Sequence, residues 1–126
     1  GETPWEAAVR ETREEVGVTP VRPRRAGELF FQFADGYSLY CHVFRADAHE
    51  GEPVETDEAW PFWVKASAVP YDGMWADDRV WLPHLIAGAG VRGWFEFDGV
   101  EMLRHKVEIV DPSQFDQLQP GPWRAF

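Results

Sequence analysis

The sequence predicts a mixed α/β (α+β) fold, and three observations carry that prediction. A capped amphipathic helix opens the chain, two pairs of β-type segments are each broken by a turn signal, and a second short helix lies between the pairs. In the first helix Thr3 is a good N-cap, Pro4 fits the first helical position, Glu6 completes a capping box with Thr3, and Gly17 ends the run. Within it Trp5, Ala8, Val9, Thr12 and Val16 recur at helical spacing as a buried stripe, whereas Glu11, Glu14 and Glu15 share another face. Segments 27–33 and 37–44, parted by Ala34-Asp35-Gly36, read as an antiparallel hairpin. A further strand is expected at 59–64, at an edge or irregular because of Pro61. The second helix follows Asp77-Asp78 and runs through Trp81 to Ala87, with Pro83 near its start and Gly88 and Gly90 to stop it. Segments 93–99 and 100–110 close the domain as a hairpin turning around Asp98-Gly99. From Asp111 onward the prolines make the tail loop-like, although Phe115, Leu118, Trp123 and Phe126 suggest that it packs.

A chain of 126 residues suits one domain, and 44% hydrophobic residues exclude wholesale disorder. Against 22 acidic residues stand 12 Lys and Arg, a net charge of −10 that repels duplex nucleic acid; basic residues gather only at Arg22, Arg24 and Arg25. Such a protein still binds a small polyphosphate when divalent cations stand between its carboxylates and the phosphate oxygens. The single Cys41 forms no internal disulfide and reads as a small core residue, and its solitude suits the reducing cytoplasm. No apolar run is long enough for a spanning helix and the N-terminus lacks the pattern of a signal peptide, so no membrane role is expected. His42, His49, His84 and His105 are scattered without metal-ligand spacing, which disfavours zinc.

The chemistry concentrates in residues 1–18. Glu11, Glu14 and Glu15 stand at i, i+3 and i+4, where each like-charge pair costs about 0.2–0.5 kcal/mol unless something cationic compensates. Mg²⁺ or Mn²⁺, hard and oxygen-seeking, would do so. Arg10 either pairs with Glu14, four residues on, or braces the cluster from behind. An ordinary solvated acidic face laced by Arg10 and Arg13 fits the same spacing, which alone does not decide.

The run Arg10-Glu11-Thr12-Arg13-Glu14-Glu15-Val16-Gly17, with Glu2 ahead of it, resembles the REXXEEXG signature of the Nudix hydrolases, Thr12 replacing the usual aliphatic residue. Residues 54–58, Met74-Trp75-Ala76-Asp77-Asp78 and Trp81-Leu82-Pro83 resemble the MutT homologues that sanitise oxidised purine nucleoside triphosphates. The resemblance spans 1–110, leaving 111–126 as a C-terminal tail, and implies a mixed β-sheet sandwiched between helices. That domain would be N-terminally incomplete, because the family's strands and Gly-Gly-Lys-like segment ahead of the Glu2 position are missing. The resemblance implies a monomer, although a second chain would be one source of those strands. The resemblance assigns Glu11, Glu14 and Glu15 as Mg²⁺ ligands, with Glu58 a further candidate, Glu2 shaping the loop and Arg10 orienting the glutamates. It also gives base recognition to Asp77 and Asp78, with Trp75 covering the base and Phe31 and Phe33 lining the pocket. Two adjacent carboxylates, one holding its proton, would present a donor beside an acceptor. Capping of the second helix is the competing role for the aspartates, and core packing for the phenylalanines. The implied reaction is attack of water on a nucleotide such as 8-oxo-dGTP, yielding the monophosphate and pyrophosphate. A non-catalytic nucleotide- or protein-binding domain and an enzyme for another nucleoside diphosphate derivative are the alternatives.

Overall fold

The computed structural model describes residues 1–116. Leu118, Trp123 and Phe126, expected to pack, lie outside the described residues. The described residues gather into two compact units, one from residues 1–25 and 44–68, the other from residues 26–43 and 69–116. No helix among the described residues is long and apolar enough to cross a membrane.

The first unit opens with α1, Pro4–Val16. Its capping box forms as the sequence requires: the Glu6 amide donates to Thr3 Oγ1 at 3.1 Å and the Thr3 amide to Glu6 Oε1 at 3.2 Å. Gly17 ends the helix at φ 79°, and its amide donates to the Arg13 carbonyl at 3.0 Å. A side chain there would be doubly unwelcome, since a Cβ would also lie 2.8 Å from Val54 Cγ2. The apolar stripe is less buried than expected: Ala8, Val9, Thr12 and Val16 are half-buried and Trp5 is 45% exposed. Trp5 is tethered through its indole, which donates to the Pro23 carbonyl at 2.8 Å.

Two short strands not expected from the sequence, β1 (Thr19–Val21) and β4 (Ala48–Glu50), pair antiparallel with Pro20 opposite His49. Three residues are too few to show a period. Conversely, the strand expected at 59–64 does not form. Pro61 removes a ladder donor, and Trp60, Phe62 and Trp63 are all largely exposed rather than alternating between two faces.

The second unit is built on a four-stranded sheet in the order β3-β2-β5-β6, from β2 (Arg24–Phe33), β3 (Ser38–Arg45), β5 (Gly90–Asp98) and β6 (Glu101–Val110). The short turn joining β2 to β3 reverses the chain, as expected of a hairpin. β5 and β6 are antiparallel, but the turn residues are Gly99 and Val100 rather than Asp98 and Gly99, with Gly99 at φ 58°. The central contact, unforeseen in the sequence, is parallel: β2 runs beside β5 from Gly27 opposite Val91 to Phe33 opposite Phe97. α2, Asp78–Ile86, sends Leu85 into the same core as Ala26, Leu29, Val91, Phe95 and Phe97. Pro83 lies in the helix interior rather than near its start, so the Arg79 carbonyl has no amide four residues on. Two helices and a mixed sheet make the α+β fold that the sequence predicts.

Phe97 is fully buried. Phe97→Ala should cost about 3–5 kcal/mol in a urea unfolding titration, and a loss below about 1 kcal/mol would show that the core closes over the gap.

Candidate active site

In the first unit the exposed face of α1 is organised by Arg10. Its guanidinium forks onto Glu2, Nε to Oε2 at 2.7 Å and Nη2 to Oε1 at 2.9 Å, while Nη1 reaches Glu14 Oε2 at 3.0 Å. Nη2 lies 3.5 Å from Glu11 Oε1. Of the two roles the sequence leaves open for Arg10, direct pairing with Glu14 is the one observed. The Arg10 hydrogen bonds hold the Glu2 carboxyl below the usual range, and the Glu2 and Glu14 carboxylates raise the guanidinium above its own. Glu11, Glu14 and Glu15 are all exposed.

Glu58 lies on an exposed loop fastened to the end of the helix. Its amide donates to Thr56 Oγ1 at 3.2 Å, the Thr56 hydroxyl donates in turn to the Glu15 carbonyl, and the Val54 amide donates to the Val16 carbonyl at 2.9 Å. Among the described residues no three His, Cys, Asp or Glu side chains converge as a metal site. The donor set itself suits a hard divalent cation, being all carboxylate oxygen at i, i+3 and i+4 on one solvent-exposed helical face.

In the second unit a cavity of about 470 Å³ opens on one face of the sheet. Leu29, Phe31 and Phe33 of β2, Leu39, Cys41 and Val43 of β3, and Phe97 of β5 line it, with Trp75, Asp77, Asp78 and Trp81 at and before α2. The strand period puts every second residue on the cavity face. Phe31 stacks on Phe95 at 5.2 Å and Phe33 on Phe97 at 5.7 Å, so both are at once core and pocket. Trp75, 52% exposed, meets the Phe97 ring edge-on at 5.7 Å.

The aspartates do not share one environment. Asp77, 4% exposed, stands at the N-cap position of α2 without a side-chain capping bond; its Oδ2 instead accepts from Trp81 Nε1 at 2.9 Å. Asp78 is half-buried, and its amide donates to the Trp75 carbonyl at 3.1 Å. Burial first, and the Asp77 charge second, push the Asp78 carboxyl above the usual range, against a lowering backbone hydrogen bond at Trp75. Cys41, expected in the core, is half-buried on the cavity wall; burial, then Asp77, pushes its thiol up.

The structure therefore brings Phe31, Phe33, Trp75, Asp77 and Asp78 around one cavity, and groups Glu2, Arg10, Glu11 and Glu14 by ion pairing. Sequence reasoning missed Leu29, Leu39, Cys41, Val43, Trp81 and Phe97. Leu29 was within reach, because it continues the period of Phe31 and Phe33, and Trp81 stands one helical turn from Asp77. A folded Asp78 pKa above the unfolded one means that this side chain favours the folded state most below the ordinary carboxylate range and loses that contribution as pH rises through the folded value. Asp78→Asn should therefore raise Tm relative to the parent at neutral pH, with the gain vanishing below about pH 4. A difference independent of pH in thermal melts would contradict the burial cause.

Residues 1–85 match the model of the NUDIX domain. An oxidized purine nucleoside triphosphate hydrolase of Danio rerio is 39% identical over 113 residues, covering 88% of this chain and 72% of the relative. The protein of the same name from Mus musculus is 33% identical over 113 residues, with the same coverage of 88% and 72%. The fold superposes with a TM-score of 0.76 on the crystal structure of the mutator MutT protein from Bacillus halodurans, 27% identical, covering 86% of this chain and 75% of that one. The signature on α1, the mixed sheet and these likenesses agree, and the chain belongs to the Nudix family of hydrolases.

Proposed function

We propose that this chain hydrolyses oxidised purine nucleoside triphosphates, 8-oxo-dGTP among them, to the nucleoside monophosphate and pyrophosphate, with Mg²⁺ or Mn²⁺ as cofactor. The observation that carries the proposal is the cavity of the second unit. Its walls are almost entirely aromatic and aliphatic, and its carboxyl groups are two adjacent ones in unlike environments. Asp77 is buried and accepts from Trp81, while Asp78 is pushed toward its protonated form. A donor beside an acceptor in an apolar slot suits the edge of a planar base. Oxidation of a purine alters which of its ring atoms carry protons, and a pair that exchanges a proton follows that change. Trp75 would cover the base, and Phe31 and Phe33 line the pocket. The two relatives named for this substrate class support the assignment.

For the reaction itself, Glu11, Glu14 and Glu15, with Glu58, would hold the divalent cation, which supplies charge neutralisation at the phosphates and a more acidic water. Arg10 holds Glu2 and Glu14 in place through its fork, and a carboxylate accepts the proton of the attacking water. The partner is a free nucleotide rather than a duplex, in keeping with the net charge of −10, and a reducing cytoplasm suits the single thiol.

A second reading, a Nudix-fold nucleotide binder without turnover, draws on one observation: Glu14 is already paired with Arg10 at 3.0 Å. Pyrophosphate release from 8-oxo-dGTP and dGTP, with and without Mg²⁺, separates the two. Hydrolysis predicts Mg²⁺-dependent release that favours 8-oxo-dGTP, whereas binding of both nucleotides without release identifies the binder. Glu14→Gln should lower kcat by at least about a hundredfold, a few kcal/mol of transition-state stabilisation, with Tm little changed because relief of like-charge repulsion offsets loss of the exposed Arg10 pair. Retained turnover removes Glu14 from the reaction. Asp78→Asn should narrow the preference for oxidised over normal purines, and an unchanged ratio of kcat/KM values would take base reading away from Asp78.

A further inference from the structure

The cavity has a wall to which neither the signature nor the relatives assign a role. Leu39, Cys41 and Val43 alternate along β3 and all face the cavity that Asp77 and Asp78 line. Cys41, at the centre, is the smallest and the only unbranched one of the three, with branched side chains on both sides. The rest of the lining is dominated by large, mutually packed rings: Phe31 and Phe33 are pinned by Phe95 and Phe97, and Trp81 is fixed by its hydrogen bond to Asp77. Room for a ligand thus depends on the β3 wall more than on the opposing rings, because a packed ring does not yield without disturbing the core.

We propose that this wall, with Cys41 at its centre, is the size-determining element of the cavity. A short side chain at position 41 leaves depth for a two-ring base, and a longer one would leave depth only for a single ring. The inference rests on the proposed reading of the cavity as the base site. It concerns the cavity's shape and asks no covalent chemistry of the thiol, whose pKa burial and then the Asp77 charge push up.

Two measurements test it. In steady-state hydrolysis, Cys41→Leu should lower kcat/KM for 8-oxo-dGTP about tenfold or more, chiefly through KM, since a single methylene in an apolar pocket commonly shifts discrimination by about 10–200-fold. The purine-to-pyrimidine ratio of kcat/KM values, with 5-hydroxy-dCTP as the pyrimidine, should fall by a similar factor. Cys41→Ala, which opens the wall instead of filling it, should not lower the purine-to-pyrimidine ratio, and a fall like that of Cys41→Leu would contradict a steric cause. A purely structural role would lower both substrates alike and leave the ratio unmoved, which would overturn the proposal.

The second measurement needs no variant and no turnover. Cys41 is the one cysteine of the chain, so iodoacetamide labelling reports on it alone. Saturating 8-oxo-dGMP, with binding established by calorimetry, should slow labelling at least about fivefold, while 5-hydroxy-dCMP at its own saturating concentration should slow it less. Equal labelling with and without bound 8-oxo-dGMP would overturn the wall's role even where Cys41→Leu fails to fold. Failure of 8-oxo-dGMP to bind at all, or hydrolysis with no preference for purines in the parent, would instead refute the reading of the cavity as a purine site. The two failures are therefore distinguishable.

Discussion

The parallel pairing of β2 with β5 is the constraint on which the second unit depends. It sets Phe31 opposite Phe95 and Phe33 opposite Phe97, so that aromatic side chains distant in sequence stack within one layer. That layer is the apolar core and also the floor of the cavity. On the other side of the sheet the same register places Glu28 opposite Arg92, which donates to it through Nε at 2.9 Å. Tyr40 donates its hydroxyl to the second oxygen of Glu28, so this buried residue has both carboxylate oxygens engaged. The sheet is thus locked in register by apolar stacking on one face and by a satisfied charge on the other.

The local signals were legible because each is written in adjacent residues. Thr3, Pro4, Glu6 and Gly17 are chemical requirements of helix ends, and all act as such. The β2–β3 hairpin and the closing hairpin follow from alternation and turn residues, with the second turn displaced by one position. What could not be read was how the two hairpins meet. Alternation gives a strand its faces but not its partner, so the parallel junction stayed hidden. The segment 59–64 had strand composition without a strand's pairing. β1 and β4 were too short to announce themselves.

The candidate site divides along the same line. The glutamates of α1 and the Asp77-Asp78 pair stand out because their spacing in sequence is also their spacing in space. The β3 wall and Phe97 do not, since only the fold brings them to Asp77. The two aspartates illustrate the limit: adjacency made them look equivalent, yet one is buried against an indole and the other partly solvated. The expected capping role fell to neither side chain at the observed N-cap. Arg10 shows the converse. Its fork onto Glu2 spans eight positions, beyond any helical period, and ties the segment ahead of α1 to the carboxylate face.

The central pairing also governs how the chain reaches this state. Glu28 and Arg92 are 64 positions apart, and every β2–β5 contact has a similar span. Closing so long a loop loses chain entropy before any stacking returns it, which makes such contacts late and slow in folding. A chain emerging from the ribosome would hold the aromatic face of β2 uncovered by β5 until residues 90–98 had been made. During that interval Phe31 and Phe33 are surfaces seeking any partner, and the yield of folded protein would be governed by how long they wait.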